Sequence, residues 1–160
     1  MDNLVTLGLV TLCLLLEGLF SGGELAFVAA DINKIRQKAG RGSRSARLAL
    51  KLLEKPEWFL ATTLTGTNLC VITGTTVATA LFLSLFGPSR GEVLSLCVMI
   101  PTVLLLGEIM PKSIFQQHAE FMAMKLSWFI TAASWLLFPA VFVISLLSRK
   151  AVDRSPGAST

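Results

Sequence analysis

Four long apolar segments constrain the fold of this chain more than any other feature. They cover roughly residues 4–30, 58–86, 93–110 and 126–148. Each is about as long as the roughly 20 residues that a helix needs to cross the hydrocarbon of a bilayer. Hydrophobic residues make up 53% of the chain and charged residues 15%, and the mean hydropathy is +0.70. The sequence therefore predicts an all-α membrane protein.

The basic residues are concentrated in one loop, and their position predicts the orientation of the chain. Eight of the fourteen Lys and Arg residues lie between the first two apolar segments, within residues 31–56. Cytoplasmic loops carry such an excess of positive charge, so we expect this loop in the cytoplasm and the N-terminus outside. The motif "GRGS" at 40–43 should divide the loop into a short cytoplasmic helical pair. Membrane topology explains the basic loop better than nucleic-acid binding, and no nucleic-acid partner is expected.

The fourth segment does not fit a crossing helix. If residues 126–148 crossed the membrane, the following "RKAVDR" would lie outside, against the positive-inside rule. We therefore expect three transmembrane helices and a juxtamembrane belt helix at 126–148, bent at Pro139. Four crossings are the alternative. A membrane domain over 1–150 would then precede a linker-like tail at 151–160. We expect the protein in the cell inner (plasma) membrane, with its C-terminus in the cytoplasm.

The sequence lacks the motifs that are typical of soluble enzymes. It contains no Gly-rich phosphate loop, no paired-histidine motif and no nucleophile–base–acid set, so an enzyme is not expected. The single histidine, His118, lies in a polar stretch and is expected at the surface. Cys13, Cys70 and Cys97 lie in apolar runs without metal-ligand spacing. We expect all three to be free, buried, small hydrophobic residues.

Polar side chains inside the apolar segments are candidate ligands, because an ionisable group costs about 2.5–3.5 kcal/mol to insert into a membrane. In the first segment, Glu17, Ser21 and Glu24 are spaced so that they share one helix face. In the second segment, Thr65 and Asn68 are three residues apart and can point at the same partner. Most other threonines of that segment are explained by hydrogen bonds between helices.

A stripe of small residues lies beside this face of the first segment. Small residues at every fourth position allow another helix to approach closely. We expect the stripe to pack within the subunit rather than to form a dimer contact. Its members are Gly18, Gly22, Ala26 and Ala30.

In the third segment, Pro111 removes a backbone donor close to Glu108. Because proline has no N–H, the carbonyl of Gly107 loses its helical partner if the helix continues through Pro111. A carboxylate and a free carbonyl oxygen would then lie side by side. The simpler alternative is a glutamate at the membrane edge that pairs with Lys112.

The candidate ligands from the three segments are all oxygen atoms. Oxygen ligands without thiolate or imidazole favour hard cations such as Mg²⁺, Ca²⁺ or Na⁺. The sequence therefore predicts a cation site but not its occupant. The candidate ligands are Ser21, Glu24, Thr65, Asn68, Gly107 (through its carbonyl) and Glu108.

Three motifs resemble the transmembrane domain of the CorC/CNNM magnesium transporters. They are "FSGGELAF", "TTLTGTNLCVI" and "LGEIMPKSIFQQHAE", and the resemblance covers nearly the whole chain. It implies three spanning helices and a belt helix, assembled as a homodimer. It also implies export of Mg²⁺ coupled to Na⁺ influx. Ser21, Asn68 and Glu108 match positions of the family's ion site, and Glu24 matches the glutamate of its S-G-x-E motif.

The sequence departs from this family pattern at several positions. Thr67 stands where the family often has a second asparagine, and Val71 where it has another polar residue. Glu17 lies outside the pattern, which leaves open a second cation site near it. Family members usually continue into ATP-binding regulatory domains, which are expected to be absent from this chain. A Mg²⁺-binding membrane sensor or scaffold that regulates another transporter is the alternative function.

Overall fold

The computed structural model describes residues 3–138, which form helices with no strand among them. This confirms the prediction of an all-α protein. In chain order the elements are α1 (Asn3–Ala29), α2 (Ile32–Gly40), α3 (Arg44–Leu53), α4 (Pro56–Phe86), α5 (Pro88–Thr102), a π-helical segment (Val103–Ile109), α6 (Met110–Gln117) and α7 (Ala119–Leu136).

Three helices are long and apolar enough to cross a membrane, as the sequence predicts. They are α1, α4 and the continuous run Pro88–Gln117, called the third span below. The third span is longer at both ends than the predicted 93–110. It begins at Pro88 because Gly87, with a φ of +80°, ends α4, and proline is favoured in the first turn of a helix. It then continues through Pro111.

The predicted helical pair is present as α2 and α3, and side chains cap both helices. Asp31 accepts a hydrogen bond from the Asn33 N–H at 2.9 Å, and the Ser43 hydroxyl accepts one from the Ala46 N–H at 3.3 Å. Such caps satisfy backbone donors at the start of a helix. Between the two helices Gly42 has a φ of +95°, a conformation that favours glycine. The prediction that "GRGS" divides the loop is confirmed.

The helix after the third span begins earlier than predicted. α7 starts at Ala119 rather than at residue 126, because His118 (φ −123°, ψ 44°) interrupts the helix after α6. Within the described residues α7 is not among the candidate spans, and it packs against α1, α3 and α4. Residues 139–148, which include Pro139, and the predicted tail at 151–160 lie outside the described residues.

Helix α1 lies at the centre of the packing. It contacts α4, α7, the π-helical segment and α6. Within the chain, 39% of its most apolar window is buried, against 17% for α4 and 17% for the third span. A hydrophobic core joins the helical pair to α1, α4 and α7. Its members are Phe27, Ile35, Ala46, Ala49, Leu52, Phe59, Ala123, Leu126 and Ile130.

Helices α1 and α4 are antiparallel. Gly66 of α4 packs against the ring of Phe20, so that a Cβ at Gly66 would lie 2.6 Å from the Phe20 Cζ atom. Further along, a Cβ at Gly74 would lie 3.1 Å from Cys13 Cβ. Residue numbers rise on α4 as they fall on α1, which fixes the relative direction of the two helices.

The third span runs parallel to α1, and the stripe of small residues forms the contact. A Cβ at Gly18 would lie 2.9 Å from Pro111 Cγ, and one at Gly22 would lie 2.6 Å from Phe115 Cδ2. Ala26 is fully buried. The prediction that the stripe packs within the subunit is confirmed.

Two of the three cysteines have the predicted environment. Cys13 and Cys70 are free and buried, and Cys97 is free but exposed, so the prediction of its burial is wrong. Cys97 lies on the outward face of the third span, where Leu96 and Ile100 are also exposed. A membrane helix carries apolar residues on its outward face as well, so an apolar run does not by itself indicate burial in protein. His118 is exposed, as predicted.

Candidate functional site

Four buried side-chain oxygens have no hydrogen-bond partner within residues 3–138. They are Glu17 Oε1 and Ser21 Oγ on α1, and Thr65 Oγ1 and Thr67 Oγ1 on α4. Glu17 is 1% exposed and Ser21 is 2% exposed. Buried polar groups normally have partners, and an unmet one costs about 1–3 kcal/mol. Four such atoms on two neighbouring helices make this region the candidate ligand site of the described residues.

The register of α1 and α4 brings the hydroxyls to one depth. Gly66 packs against Phe20, and the two threonines flank Gly66 in the sequence while Ser21 follows Phe20. Thr65 and Thr67 therefore lie at the level of Ser21. Four other threonines of α4 have hydrogen-bond partners: Thr62, Thr63 and Thr75 donate to carbonyls of their own helix, and Thr79 shares a bond of 2.7 Å with Ser95 of the next helix. Thr65 and Thr67 are the threonines of α4 whose hydroxyls are buried without a partner among the described residues.

The Glu17 carboxylate lies against Gly107 of the third span. A Cβ at Gly107 would lie 2.8 Å from Glu17 Oε2 and still closer to Oε1 and Cδ. Real Cβ atoms do not approach other atoms so closely, so the absence of a side chain at Gly107 makes room for the carboxylate. Glu17 was left outside the family pattern by the sequence, yet it lies at the contact between α1 and the third span. Its helical spacing from Ser21 was the signal that could have found it.

Gly107 and Glu108 both belong to the π-helical segment. The Met110 N–H donates to the Leu105 carbonyl, five residues earlier, so the turn is wider than that of an α-helix. Single π-turns within helices often occur at functional sites. The prolines at 101 and 111 remove the donors that α-helical bonding would require on either side. The structure thus accommodates Pro111 by a wider turn in an unbroken helix.

The other two carboxylates of the site are half-buried. Glu108 interacts electrostatically with both Glu17 and Glu24, and Lys112 attracts Glu24. Among the described residues Glu108 makes no ion pair with Lys112, whereas Lys34 and Glu120 do pair, at 2.8 Å. The simpler explanation of Glu108, as a membrane-edge partner of Lys112, is therefore not supported.

Asn68 is the one candidate ligand that the single chain places away from this group. It is exposed together with Leu64 and Ile72, whereas the Thr65 hydroxyl three residues before it is buried. The structure brings the Glu17 carboxylate against Gly107, next to Glu108 in the sequence, and places Thr65 at the depth of Ser21. The Asn68 side chain is not buried with them in the single chain.

The donors of this site are mixed rather than purely acidic. In the part of the chain that the structure describes, no three or more His, Cys, Asp or Glu side chains form a group that could hold a metal ion. Hydroxyl and backbone oxygens would have to complete the coordination of a cation beside the carboxylates. Such a set of oxygens suits a hard cation.

Comparison with known proteins identifies relatives that are themselves described only in general terms. The chain is 35% identical over 145 residues to the UPF0053 protein sll0260 of Synechocystis, which is 82% of this chain and 32% of that protein. It is 29% identical over 130 residues to the UPF0053 inner membrane protein YfjD of Escherichia coli, covering 81% and 30%. A UPF0053 protein of Haemophilus influenzae is 28% identical over 141 residues, covering 88% and 33%. The chain spans about a third of the length of these relatives.

A family match covers almost the entire chain. Residues 8–157 match the CNNM family, described as the cyclin M transmembrane N-terminal domain. The three apolar helices agree with a membrane domain of this kind. This chain is therefore a membrane protein that belongs to the CNNM family.

Proposed function

We propose that this chain transports Mg²⁺ across the membrane, exporting it from the cytoplasm in exchange for Na⁺. The observation that carries the proposal is the group of four buried, unpartnered oxygens on α1 and α4. The Glu17 carboxylate among them lies against the π-helical segment. A cation bound there would satisfy oxygens that no group among residues 3–138 satisfies.

The donor chemistry favours Mg²⁺ over transition metals. Mg²⁺ prefers oxygen ligands and is usually bound through one or two carboxylates. Cys13 and Cys70 lie nearby on α1 and α4, but the unpartnered atoms are all oxygens of Glu, Ser and Thr. Na⁺ is also a hard cation with oxygen ligands, so exchange through the same group of residues is chemically consistent.

The membrane location favours transport over a purely structural site. Glu17 and Glu24 lie on a helix that is long and apolar enough to span the bilayer, and Glu108 lies on another. Ionisable residues inside spans are costly and usually mark the path of an ion. The π-helical segment beside Glu17 adds an irregular backbone at the same place, a feature of transporter sites.

In this proposal Glu17 and Glu108 supply charge, and Ser21, Thr65 and the Gly107 carbonyl supply neutral oxygens. Glu24 lies about two turns beyond Glu17 on α1 and interacts with Lys112, so it is proposed at the entrance of the site. Thr67 joins the set through its unpartnered hydroxyl. Asn68 is included on the family resemblance alone, because its side chain is exposed in the single chain.

The membrane topology and the assembly also remain proposals. Helix α1 and the third span run in one direction, and α4 runs in the other. This alternation supports three crossings of the membrane. The basic helical pair supports a cytoplasmic loop, an outside N-terminus and a cytoplasmic C-terminus. A homodimer, expected from the resemblance, is compatible with the many exposed apolar residues of α4 and the third span.

Reconstitution into liposomes tests the transport function. Vesicles that contain the purified chain and a Mg²⁺-sensitive dye should show Mg²⁺ flux that depends on an opposing Na⁺ gradient. Glu108→Gln and Glu17→Gln should each lower this flux at least about tenfold. Loss of a residue that only hydrogen-bonds to a metal ligand commonly lowers metal affinity about 10–100-fold, and both glutamates are proposed to bind the cation directly. Glu92→Gln is the matched control, since Glu92 is exposed near the start of the third span.

Two outcomes would contradict the proposal in different ways. Flux that survives undiminished in Glu108→Gln and Glu17→Gln would show that these residues do not form the ion path. Mg²⁺ binding without any flux in the parent chain would favour a membrane sensor or scaffold. Binding is measured separately as Mg²⁺-dependent stabilisation, which amounts to about 2.7 kcal/mol at a concentration 100 times the Kd.

A further inference from the structure

We propose that a cavity between α3 and α7 binds the phosphate headgroup of an anionic phospholipid. The cavity has a volume of about 230 Å³ and is lined by Arg44, Arg47, Leu48, Lys51 and Trp128. Three of these residues are cationic and none is acidic. The other two are apolar or aromatic. This combination of residues suits the boundary between lipid headgroups and acyl chains. The residues that line the cavity are not among those of the proposed cation site.

The packing of α3 holds the three cations on one face. Ala46 and Ala49 are fully buried in the core, and the residues that line the cavity are spaced at three, four and seven positions on the opposite side of the helix. The Ser127 hydroxyl donates its proton over the shorter distance to the Met124 carbonyl of α7, at 2.7 Å, and also lies 3.3 Å from the Ser45 carbonyl of α3, so the two helices are in contact beside Trp128. The cavity is therefore a fixed feature of the helix pair rather than a chance approach of long side chains.

An aromatic stripe on α7 gives the depth at which this cavity lies. Phe121, Trp128 and Trp135 are spaced seven residues apart, so they share one face, and they are 56%, 60% and 81% exposed. The opposite face carries Ala123 and Ile130, both fully buried. Tryptophan is enriched where a membrane meets water. A helix with one buried face and a row of exposed aromatic rings is suited to lie in that interface.

The cations and the aromatic ring together favour a lipid over a soluble anion. Arginine recognises phosphate through paired N–H donors, and basic pockets on the cytoplasmic side of membrane proteins bind anionic headgroups. A free phosphate would use the same cations. It would leave Leu48 and Trp128 without a function, whereas a lipid would place its glycerol and first methylene groups against them. We therefore assign the cavity to a lipid.

Spin-labelled lipids test this assignment on the full chain. The protein is reconstituted in phosphatidylcholine, and the motionally restricted fraction of spin-labelled phosphatidylglycerol is compared with that of spin-labelled phosphatidylcholine. The parent chain should prefer phosphatidylglycerol. The triple variant Arg44→Gln, Arg47→Gln, Lys51→Gln should lose most of this preference, because each cation near an anionic lipid contributes about fivefold in affinity.

A second triple variant separates a specific site from general attraction. Arg36→Gln, Arg41→Gln, Lys55→Gln removes the same charge from exposed positions of the same loop outside the cavity. It should keep most of the preference. Equal losses in the two variants, or no loss in the first while its helical circular dichroism is unchanged, would overturn the proposal.

Competition with a soluble anion distinguishes the two sources of phosphate. Inorganic phosphate in excess over the labelled lipid should leave the restricted fraction of phosphatidylglycerol unchanged, because the lipid also contacts Trp128. Full displacement would assign the cavity to soluble anions and overturn the lipid assignment. Trp128→Ala should weaken retention of phosphatidylglycerol while all three cations remain. Unchanged retention would count against the role of the ring.

Discussion

The contact between Glu17 and Gly107 makes a sharp prediction about a single methyl group. Gly107→Ala adds a Cβ that would lie 2.8 Å from Glu17 Oε2 and closer to two other atoms of that carboxylate. The carboxylate must move, and Glu17 is only 1% exposed, so little free space is available. We expect Gly107→Ala to displace the Glu17 carboxylate from its position. The variant does not substitute any of the proposed side-chain ligands.

The expected magnitude follows from two opposing effects. Overpacking of a close contact costs about 1–3 kcal/mol. Replacing glycine by alanine inside a helix returns about 0.5–1 kcal/mol through helix propensity. The net loss in the free energy of unfolding should therefore be about 1 kcal/mol, within a range of about 0–2.5 kcal/mol. Mg²⁺ should also stabilise the variant less than the parent chain, because Glu17 no longer occupies its position.

Unfolding by sodium dodecyl sulfate, followed by far-ultraviolet circular dichroism, measures this effect in detergent micelles. Gly8→Ala is the matched control, since Gly8 lies on α1 and has nothing within 4 Å of an added Cβ. It should be neutral or gain up to about 1 kcal/mol. The difference between the two variants isolates the cost of the contact with Glu17.

A double variant decides whether Glu17 is the cause. In a Glu17→Ala background the carboxylate is gone, so Gly107→Ala should then behave like Gly8→Ala. If Gly107→Ala is as harmless as Gly8→Ala in the parent chain, or equally harmful with and without Glu17, the geometry described for this site is incorrect.

Two further predictions concern packing and pH. Gly22→Ala should lower the free energy of unfolding by about 1 kcal/mol after the gain in helix propensity is subtracted from the cost of overpacking, because its Cβ would lie 2.6 Å from Phe115 Cδ2. Gly23→Ala, with no atom nearer than 3.4 Å, should not lower it in the same assay. The hydrogen bond from Lys34 lowers the pKa of Glu120, and Glu120 raises the pKa of Lys34. The tie between α2 and α7 should therefore hold from above the ordinary glutamate pKa to below the ordinary lysine pKa. It should weaken as the pH falls through the lowered pKa of Glu120, seen as reduced hydrogen-exchange protection in α2, and Glu120→Gln should remove this dependence.

Hydropathy and charge were sufficient to predict the three apolar spans and the helical pair between the first two of them. They were less reliable for the limits of the third span, because hydropathy falls where charges such as Glu108 and Lys112 appear, whereas helical hydrogen bonding continues to Gln117. The start of α7 was missed for a related reason. Glu120 and Lys125 lower the hydropathy of residues 119–125, but the helix already begins at Ala119.

The candidate site was predictable only as far as single helices allow. The spacing of Glu17 and Ser21 on one face was visible in the sequence, but their neighbours on other helices depend on how those helices pack. The contact of Glu17 with Gly107 depends on that packing and is not visible in either segment alone. Thr65 and Asn68 are three residues apart on one helix, as predicted, but the predicted burial of the Asn68 amide is wrong in the single chain, because an apolar run also has an outward face. The prolines indicated disturbed bonding, but not that a π-turn would absorb it.

The central position of α1 has a consequence for how the protein is made. Helix α1 is synthesised before α4 and the third span, so Glu17 and Glu24 must leave the translocon before the helices that later surround them exist. The mean hydropathy of 2.1 in its most apolar window gives α1 a strong tendency to enter the bilayer despite these two acids. The face of α1 that carries Glu17 and Glu24 would therefore lack its neighbours, or contact the insertion machinery, until α4 and the third span have been synthesised.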